Sequence, residues 1–295
     1  MNHTSLKIFS VVAEELSVVK AAQRLGRVQS NITTRIQQLE EELDAELFIR
    51  DSKRLKLSPQ GKLFLSYTKK LLSLGEEARQ SLHPHTPNGD LALGSMECAA
   101  ASRLTKPLAE FSQTCPEVRL LFSTQPTGQL IERVQQSELD CALVALPVND
   151  AGETLCPDDL RYQPLYDEQL LLVLPTTMSH IRQLSDIDEG KLAAFAVGCT
   201  YRQLAMQMLQ NMGASGRRIQ VQDVSSYHAM LACVAAGTYM CMLPESVLQL
   251  LQLPAGLTLL PAGHAVTQLI WRKDYRSPAL DHLRRLLANE ANVSA

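Results

Sequence analysis

A short polar segment near the N-terminus carries the side chains with the clearest chemical use. They are amides, hydroxyls and one guanidinium: Gln29, Ser30, Asn31, Thr33, Thr34 and Arg35. Groups of these types form hydrogen bonds with base edges in the major groove of DNA. A polar helix face in a protein-binding module is the alternative. The concentration of base-reading groups favours double-stranded DNA as the partner.

Two further basic side chains lie a short distance downstream. Lys53 and Arg54 occupy the charged tip of the segment 47–57, whose flanking apolar residues indicate a short β-ribbon. Side chains at such a tip are suited to contacts with phosphates or with the minor groove. We therefore expect them to grip DNA without reading its sequence.

Enzyme chemistry has no comparable support in the sequence. The chain contains no GxSxG, GxGxxG, GxxxxGK[ST] or HExxH motif, and its seven histidines are dispersed. His83 and His85 share a linker rich in Pro, Asn and Gly but have no other nearby metal ligand. We expect no catalytic residue, metal or cofactor, although an enzymatic α/β region remains a rival hypothesis.

The polar segment requires a helix-turn-helix to present it. Thr4 or Ser5 is predicted to cap a first helix, and Ser17 begins a second helix that ends at Gly26. A third helix over 29–43 follows after a tight turn and carries the polar segment at its start. Two helices joined in this way form the helix-turn-helix arrangement.

A long helix is predicted to begin at Ser58-Pro59, because Ser caps helices well and Pro suits the first helical position. It carries an apolar stripe that consists of Phe64, Tyr67, Leu71 and Leu74. The stripe could pack on its own domain. A helix this long leaves more apolar surface than a small domain covers, so dimerisation is the favoured interpretation.

From residue 90 onward, short apolar runs alternate with helix-like segments, which indicates an α/β region. Most runs are continuously apolar, as in strands buried on both faces of a parallel sheet. Ligands of such sheets bind beyond the carboxyl ends of the strands. The strand candidates are 90–94, 118–124, 141–146, 169–174, 194–198, 219–223, 239–243 and 267–272.

Composition and charge are consistent with a basic module joined to an acidic one. Residues 1–87 contain 13 Lys and Arg against 10 Asp and Glu, and the remainder contains 15 against 21. No signal peptide or membrane span is evident, and the seven cysteines form no CxxC pair, so a reduced cytoplasmic protein is expected. A redox-sensing pair among Cys199, Cys233 and Cys241 is the alternative.

The N-terminal motifs closely resemble those of the LysR-type transcriptional regulators. The matching segments are 9–14, 21–25, 29–33, 39–40, 47–50 and 57–61. Looser similarity extends to 137–142, to 235–237 and to Leu243-Pro244.

This resemblance implies an α/β fold class with an all-α winged-helix domain in front. The domains would be a winged helix-turn-helix (1–58), a dimerising linker helix (59–82), a hinge (83–89) and a two-lobed effector domain like periplasmic solute-binding proteins. Lobe I would span 90–161 and 266–295, and lobe II would span 162–265, with crossovers near 161–164 and 264–267.

The resemblance also implies a homotetramer, built as a dimer of dimers, that binds an interrupted palindromic operator. A small-molecule effector would bind between the lobes, and RNA polymerase is a candidate partner. No membrane partner is expected. A regulator that responds to redox state or to a protein partner is the leading rival.

Several segments resemble the subgroup that controls putrescine utilisation, namely 28–35, 94–97, 199–202 and 226–233. A Glu97 carboxylate in the cleft would need a cationic partner, and the faces of Tyr201 and Tyr227 attract cations. A small amine is therefore the favoured effector. The alternative is that Glu97 pairs with Arg103 or Arg202 and leaves the cleft to bind an anion or a neutral molecule.

The effector site is expected to be formed by the residues just past the strand ends. They are Ser95, Met96, Glu97, Thr127, Gly128, Leu146, Pro147, Cys199, Thr200, Tyr201, Tyr227 and His228.

Overall fold

The computed structural model describes residues 1–51, 54–82, 87–149, 151–187, 190–212 and 219–294. Lys53 and residues 83–86 of the expected hinge, with His83 and His85, lie outside the described residues. The elements form two compact units. The first contains α1 (His3–Glu15), α2 (Val18–Leu25), α3 (Gln29–Leu43), β1 (Phe48–Asp51), β2 (Arg54–Leu57) and α4 (Pro59–Ser81).

The boundaries of the first three helices follow from local capping. Ser17 accepts the Lys20 N–H at the start of α2, and Gly26 ends that helix with a φ of 61°, as predicted. The predicted cap of α1 is wrong, since the Asn2 side chain, and not Thr4 or Ser5, accepts the Ser5 N–H. Ser5 instead lies inside the helix and is buried.

One apolar cluster holds the first unit together. Ile32 and Leu39 of α3 are buried in it beside Phe9 of α1. The Phe9 ring contacts the rings of Phe48 and Phe64 at centroid distances of 5.4 and 5.1 Å. The helix-turn-helix, the ribbon and the start of α4 therefore share one core.

The contact with Phe9 changes the predicted stripe on α4. Phe64 is half-buried against the core of its own unit, so only part of its surface is left for a partner. Tyr67, Leu71 and Leu74 are exposed, as is Leu63, which lies on the same side of the helix. The exposed α4 stripe thus consists of Leu63, Tyr67, Leu71 and Leu74.

The second unit contains seven helices and eight strands among the described residues. The helices are α5 (Glu97–Ser102), α6 (Thr105–Thr114), α7 (Thr127–Gln135), α8 (Thr200–Met212), α9 (Tyr227–Ala235), α10 (Glu245–Leu248) and α11 (Pro278–Ser294). The strands are β3 (Gly89–Ser95), β4 (Val118–Thr124), β5 (Cys141–Val144), β6 (Leu160–Leu174), β7 (Lys191–Ala194), β8 (Gln220–Asp223), β9 (Cys241–Pro244) and β10 (Thr258–Arg272).

The main sheet is mixed, so the prediction of a parallel sheet is wrong in part. Its order is β4-β3-β5-β10-β6-β9. Strands β3, β4 and β5 are parallel, whereas β10 runs antiparallel to β5 and β6, and β9 runs antiparallel to β6. Burial on both faces produces apolar runs whatever the strand direction, so these runs did not distinguish the two arrangements.

Two strands are much longer than their apolar runs. The candidates 169–174 and 267–272 are the ends of β6 and β10, which have 15 residues each and pair with one another along their length. The remaining candidates lie within a few residues of strands. The candidate 194–198 is the least accurate, because β7 ends at Ala194 and a turn through Gly198 follows.

The strand pairs define two lobes. In the first lobe, β3, β4 and β5 pair together, and the end of β10 pairs with β5. In the second, β7 pairs with β8, a bridge joins Leu192 to Met240, and β9 pairs with the end of β6. Strands β6 and β10 run through both lobes. Among the described residues, none of the helices combines the length and the hydrophobicity that a membrane span requires.

Gly61 provides a test of the junction between the ribbon and α4. Ser58 caps α4 by accepting the Gly61 N–H at 2.8 Å, while the Ser58 N–H donates to the Leu47 carbonyl at 3.0 Å. A Cβ at position 61 would lie 2.0 Å from that carbonyl oxygen. We expect Gly61→Ala to lower the free energy of unfolding by about 1–3 kcal/mol.

The matched control is Gly75→Ala on the same helix, where the nearest atom to a new Cβ is a His3 carbon at 3.8 Å. We expect this variant to be up to about 1 kcal/mol more stable than the parent, because Ala favours helices over Gly. Urea denaturation measures both changes. Equal stability of the two variants would contradict the proposed steric conflict.

Candidate DNA-binding surface and effector cavity

The start of α3 presents most of the predicted DNA-reading side chains to solvent. Burial of Ile32, Ile36 and Leu39 fixes the opposite face of the helix. The exposed members are Gln29, Ser30, Thr33, Thr34 and Arg35.

Two of the predicted DNA-reading residues on α3 also form side-chain hydrogen bonds with residues three or four positions away in the sequence. Asn31 is half-buried, and its side-chain oxygen accepts a long hydrogen bond from Arg27 at 3.4 Å. The Arg35 guanidinium donates to Gln38 at 3.3 Å, also a long contact. Both contacts are weak enough to be exchanged for contacts with a ligand.

The ribbon is attached to α3 by one carboxylate. Glu40 accepts the backbone N–H groups of Leu47 and Phe48 at 2.7 and 3.1 Å. Arg54 begins β2 and is exposed. Lys53, which was predicted to contact DNA together with Arg54, lies outside the described residues.

A cavity of about 240 Å³ lies between the two lobes of the second unit. It is reached from the ends of strands β3, β4, β7 and β8. Its lining consists of Met96, Glu97, Cys98, Thr124, Gln125, Pro126, Thr127, Phe195, Ala196, Cys199, Thr200, Tyr201, Val224, Ser225 and Tyr227. The cavity volume is slightly below the usual range of ligand pockets, about 300–1,000 Å³, and suits a small ligand.

Seven of the twelve predicted effector residues line this cavity. They are Met96, Glu97, Thr127, Cys199, Thr200, Tyr201 and Tyr227. Each follows a strand or begins a helix at the cleft, which is the feature that the prediction used.

Five predicted residues lie outside the lining: Ser95, Gly128, Leu146, Pro147 and His228. Ser95 is fully buried and donates its hydroxyl proton to the Met96 carbonyl. The Leu146 N–H donates to the Gln268 side chain, whereas Pro147 and His228 are exposed. The strand ends beside these five residues were located to within a few residues, but the direction of each side chain is not encoded in the strand pattern.

The lining residues that the sequence prediction missed fall into three groups. Thr124 is the last residue of β4, and Gln125, Pro126, Val224 and Ser225 follow β4 and β8, so the same strand-end rule could have found these five. Phe195 and Ala196 were absent from the predicted effector site because they were assigned to the strand candidate 194–198. Cys98, within α5, has no signal in the sequence that separates it from a core cysteine.

Direct hydrogen bonds join the lobes around the cavity. The Thr200 hydroxyl donates to the Ala145 carbonyl at 2.7 Å, and the Gly128 N–H donates to the Gly198 carbonyl at 3.1 Å. These contacts close the lobes on one another.

A third hydrogen bond between the lobes and an aromatic ring contact also contribute to the cavity wall. The Tyr201 hydroxyl donates to the Cys98 sulfur at 3.6 Å. The rings of Phe195 and Tyr227 meet edge to face, with 4.9 Å between their centroids. Aromatic side chains thus form much of the second lobe's contribution to the cavity.

Among the described residues that line the cavity, Glu97 alone carries a charged side chain. It is exposed, and the two internal partners considered for it are engaged elsewhere. Arg103 pairs with the buried Glu168 at 2.8 Å, and Arg202 pairs with Asp223. The alternative in which Arg103 or Arg202 neutralises Glu97 is therefore not observed.

Helix N-termini at the cavity contribute partial positive charge, which is opposite in sign to the Glu97 carboxylate. Four helices, α5, α7, α8 and α9, begin at the lining residues Glu97, Thr127, Thr200 and Tyr227. Each helix N-terminus carries a partial positive charge that favours anions. The cavity therefore combines one carboxylate with several anion-favouring backbone dipoles.

The cysteines of the cavity are held as neutral thiols. Burial raises the pKa of Cys98 to about 12, and the charge of Glu168 adds to this effect. Burial also raises the pKa of Cys199, against the effect of N–H groups of α8 that donate to its sulfur. Because the thiolate is the reactive form, these environments do not favour redox chemistry at neutral pH.

The alternative of a redox-sensing pair would also involve Cys233 or Cys241. Burial raises the pKa of Cys241 to about 12, with a further contribution from Cys233. All seven cysteines are free thiols.

A helix-turn-helix unit followed by a two-lobed unit with a cavity between the lobes defines a ligand-controlled DNA-binding protein. Comparison with known families agrees with this class. Residues 3–62 match the model of the bacterial regulatory helix-turn-helix proteins of the lysR family, and residues 84–292 match the LysR substrate binding domain. The chain belongs to the LysR family of transcriptional regulators and is not an enzyme.

Individual relatives support the same conclusion. The chain is 34% identical over 249 residues to the HTH-type transcriptional regulator GltR of Bacillus subtilis, which covers 84% of this chain and 81% of the relative. The fold resembles a full-length OxyR variant from Pseudomonas aeruginosa, with a TM-score of 0.73, 19% identity and coverage of 99% and 95%.

A second solved structure is full-length CbnR in complex with its target DNA. Its TM-score is 0.66 at 18% identity, and the match covers 98% of this chain and 100% of that one.

Proposed function

We propose that this regulator reads an interrupted palindromic operator with the start of α3 and releases or reshapes its grip when a small amine binds between the lobes. The observation that carries the DNA assignment is the exposed row of amide, hydroxyl and guanidinium groups at Gln29, Thr33 and Arg35. Arg54, with Lys53 beside it in the sequence, contacts phosphates or the minor groove. The DNA complex of CbnR supports double-stranded DNA as the partner.

The exposed α4 stripe is the proposed two-fold interface. Leu63 and Leu74 are 63% and 61% exposed, which is unusual for leucines that follow one face of a helix. Pairing of this face with a second copy would fix the separation of two α3 helices. A dimer of such dimers is the proposed assembly, and RNA polymerase is the proposed second macromolecular partner.

The proposed domains divide the chain into three N-terminal segments and two lobes. Residues 1–58 bind DNA, 59–82 dimerise and 83–89 form the hinge. Residues 90–161 with 266–295 form lobe I, and 162–265 form lobe II.

The amine proposal is supported by the charge of the cavity. Among the described lining residues there is no arginine or lysine beside Glu97, and an amine would form an exposed ion pair with this carboxylate. Tyr201 and Tyr227 add aromatic surface that attracts cations. A diamine such as putrescine has the size and charge that these groups favour.

The four helix N-termini support a second candidate, a small carboxylate. Its charge would be stabilised by backbone dipoles rather than by side chains. The two candidates differ in their dependence on Glu97, which makes them separable by experiment.

Base reading is tested on an operator recovered from random DNA by selection with the full chain. We expect Gln29→Ala and Arg35→Ala each to lose about 1–3 kcal/mol of binding and to relax specificity at one position. We expect Arg54→Ala to weaken all sequences alike and to reduce the salt slope by about one unit. Gel shifts measure each effect, with Gln129→Ala, an exposed position in the second unit, as control. Wild-type binding by both α3 variants would refute the assignment.

Assembly is tested with Leu71→Glu, which would place an unpaired charge in the interface and should dissociate the dimer. Leu71→Met keeps the apolar volume and should retain it. Analytical ultracentrifugation distinguishes these results. An unchanged assembly state for Leu71→Glu would exclude the exposed α4 stripe as the interface.

The effector is tested by calorimetry with putrescine and cadaverine against a panel of small carboxylates. We expect amine binding, and we expect Glu97→Gln to weaken it by about fivefold, as the loss of an exposed ion pair predicts. Glu110→Gln, at an exposed site on α6 outside the cavity, should leave affinity unchanged. Carboxylate binding without amine binding, or amine binding that is insensitive to Glu97→Gln, would overturn the amine proposal.

A further inference from the structure

The residue that precedes the DNA-reading helix departs from the capping pattern of its neighbours. Val28 is the N-cap of α3 and forms no side-chain cap hydrogen bond. Asn2, Ser17 and Ser58 cap the other three helices of this unit with side-chain oxygens. Valine is among the least favourable residues at an N-cap, so this position does not serve the stability of α3.

Packing does not explain Val28 either. Its side chain is 69% exposed, more than any other large apolar side chain between α1 and β2. It borders a shallow depression together with Val19, Gln29 and Ser30. An apolar side chain is therefore presented to solvent directly beside the first two base-reading candidates of α3.

The major groove of DNA offers one apolar group at its base edges, the C5-methyl group of thymine. The exposed methyl groups of Val28 match that group in chemistry, whereas they cannot donate to a phosphate or to a base heteroatom. We infer that Val28 contacts a thymine methyl group in each half of the operator and makes this position of the site selective for thymine. This inference rests on the proposed function, because it requires the start of α3 to lie in the major groove.

The test uses deoxyuridine, which differs from thymine only by the missing methyl group. In the operator selected with the full chain, each thymine of one half-site is replaced in turn by deoxyuridine, and binding is measured by fluorescence anisotropy. Burial of one methyl group corresponds to about fourfold in affinity. We expect the parent protein to lose about that factor at one thymine position.

The variant Val28→Ser should bind thymine and deoxyuridine equally at that position. Serine is a favoured N-cap residue, so α3 is expected to fold with no loss of thermal stability. Val28→Thr keeps one methyl group and should retain part of the discrimination. Val266→Ser, an exposed valine on β10 in the second unit, is the matched control and should retain all of it.

Two results would overturn the inference: no thymine position at which the parent discriminates, or discrimination that persists in Val28→Ser. Measurements of Gln29→Ala and Arg35→Ala on the same DNA separate this failure from that of the proposed function. If those variants bind weakly while Val28→Ser keeps the parent's discrimination, base reading by α3 stands and the role of Val28 does not.

Discussion

The pairing of β6 with β10 is the constraint on which the effector domain depends. The two strands pair from Leu160 with Arg272 to Leu174 with Thr258, so one hydrogen-bonded ribbon belongs to both lobes. At one end β10 pairs with β5 of the first lobe, and at the other β6 pairs with β9 of the second. The lobes can therefore change their angle only by bending or twisting this ribbon. Its register shifts near residues 261–264 and 267–268 are the irregular points at which such bending is easiest.

A buried charge lies on the same ribbon. Glu168 of β6 is 1% exposed, and its two oxygens are bound by Arg103, which follows α5, and by Ser246 of α10. Removal of one partner would leave a buried charge without compensation, which is strongly unfavourable. The guanidinium of Arg103 also lies 5.0 Å from the Tyr166 ring. This cluster therefore joins elements of both lobes at the ribbon.

The sequence predicted the DNA-binding unit better than the effector unit for a physical reason. Its helix ends are set by local signals, such as Ser17, Gly26 and the Ser58-Pro59 pair. The first half of β6 contains polar and exposed residues, because it is held by pairing with β10 rather than by burial on both faces. A criterion based on apolar runs could not include it. For the same reason, the apolar run 194–198 was assigned to a strand, although β7 ends at Ala194. Phe195 and Ala196 were therefore missing from the predicted cavity. The half-burial of Phe64 depends on Phe9, which is distant in sequence, and no helical pattern encodes that contact.

Two of the bonds that close the cavity end on backbone atoms of the facing lobe. Thr200 donates to the carbonyl of Ala145, and Gly128 donates its own N–H to the carbonyl of Gly198. In evolutionary terms, the two acceptors of these bonds are thereby insensitive to residue type. The carbonyls of Ala145 and Gly198 persist whatever residue occupies the position, whereas the Thr200 hydroxyl is itself part of the cavity lining. A lineage that carries this architecture can therefore vary the other lining side chains while it keeps these contacts between the lobes.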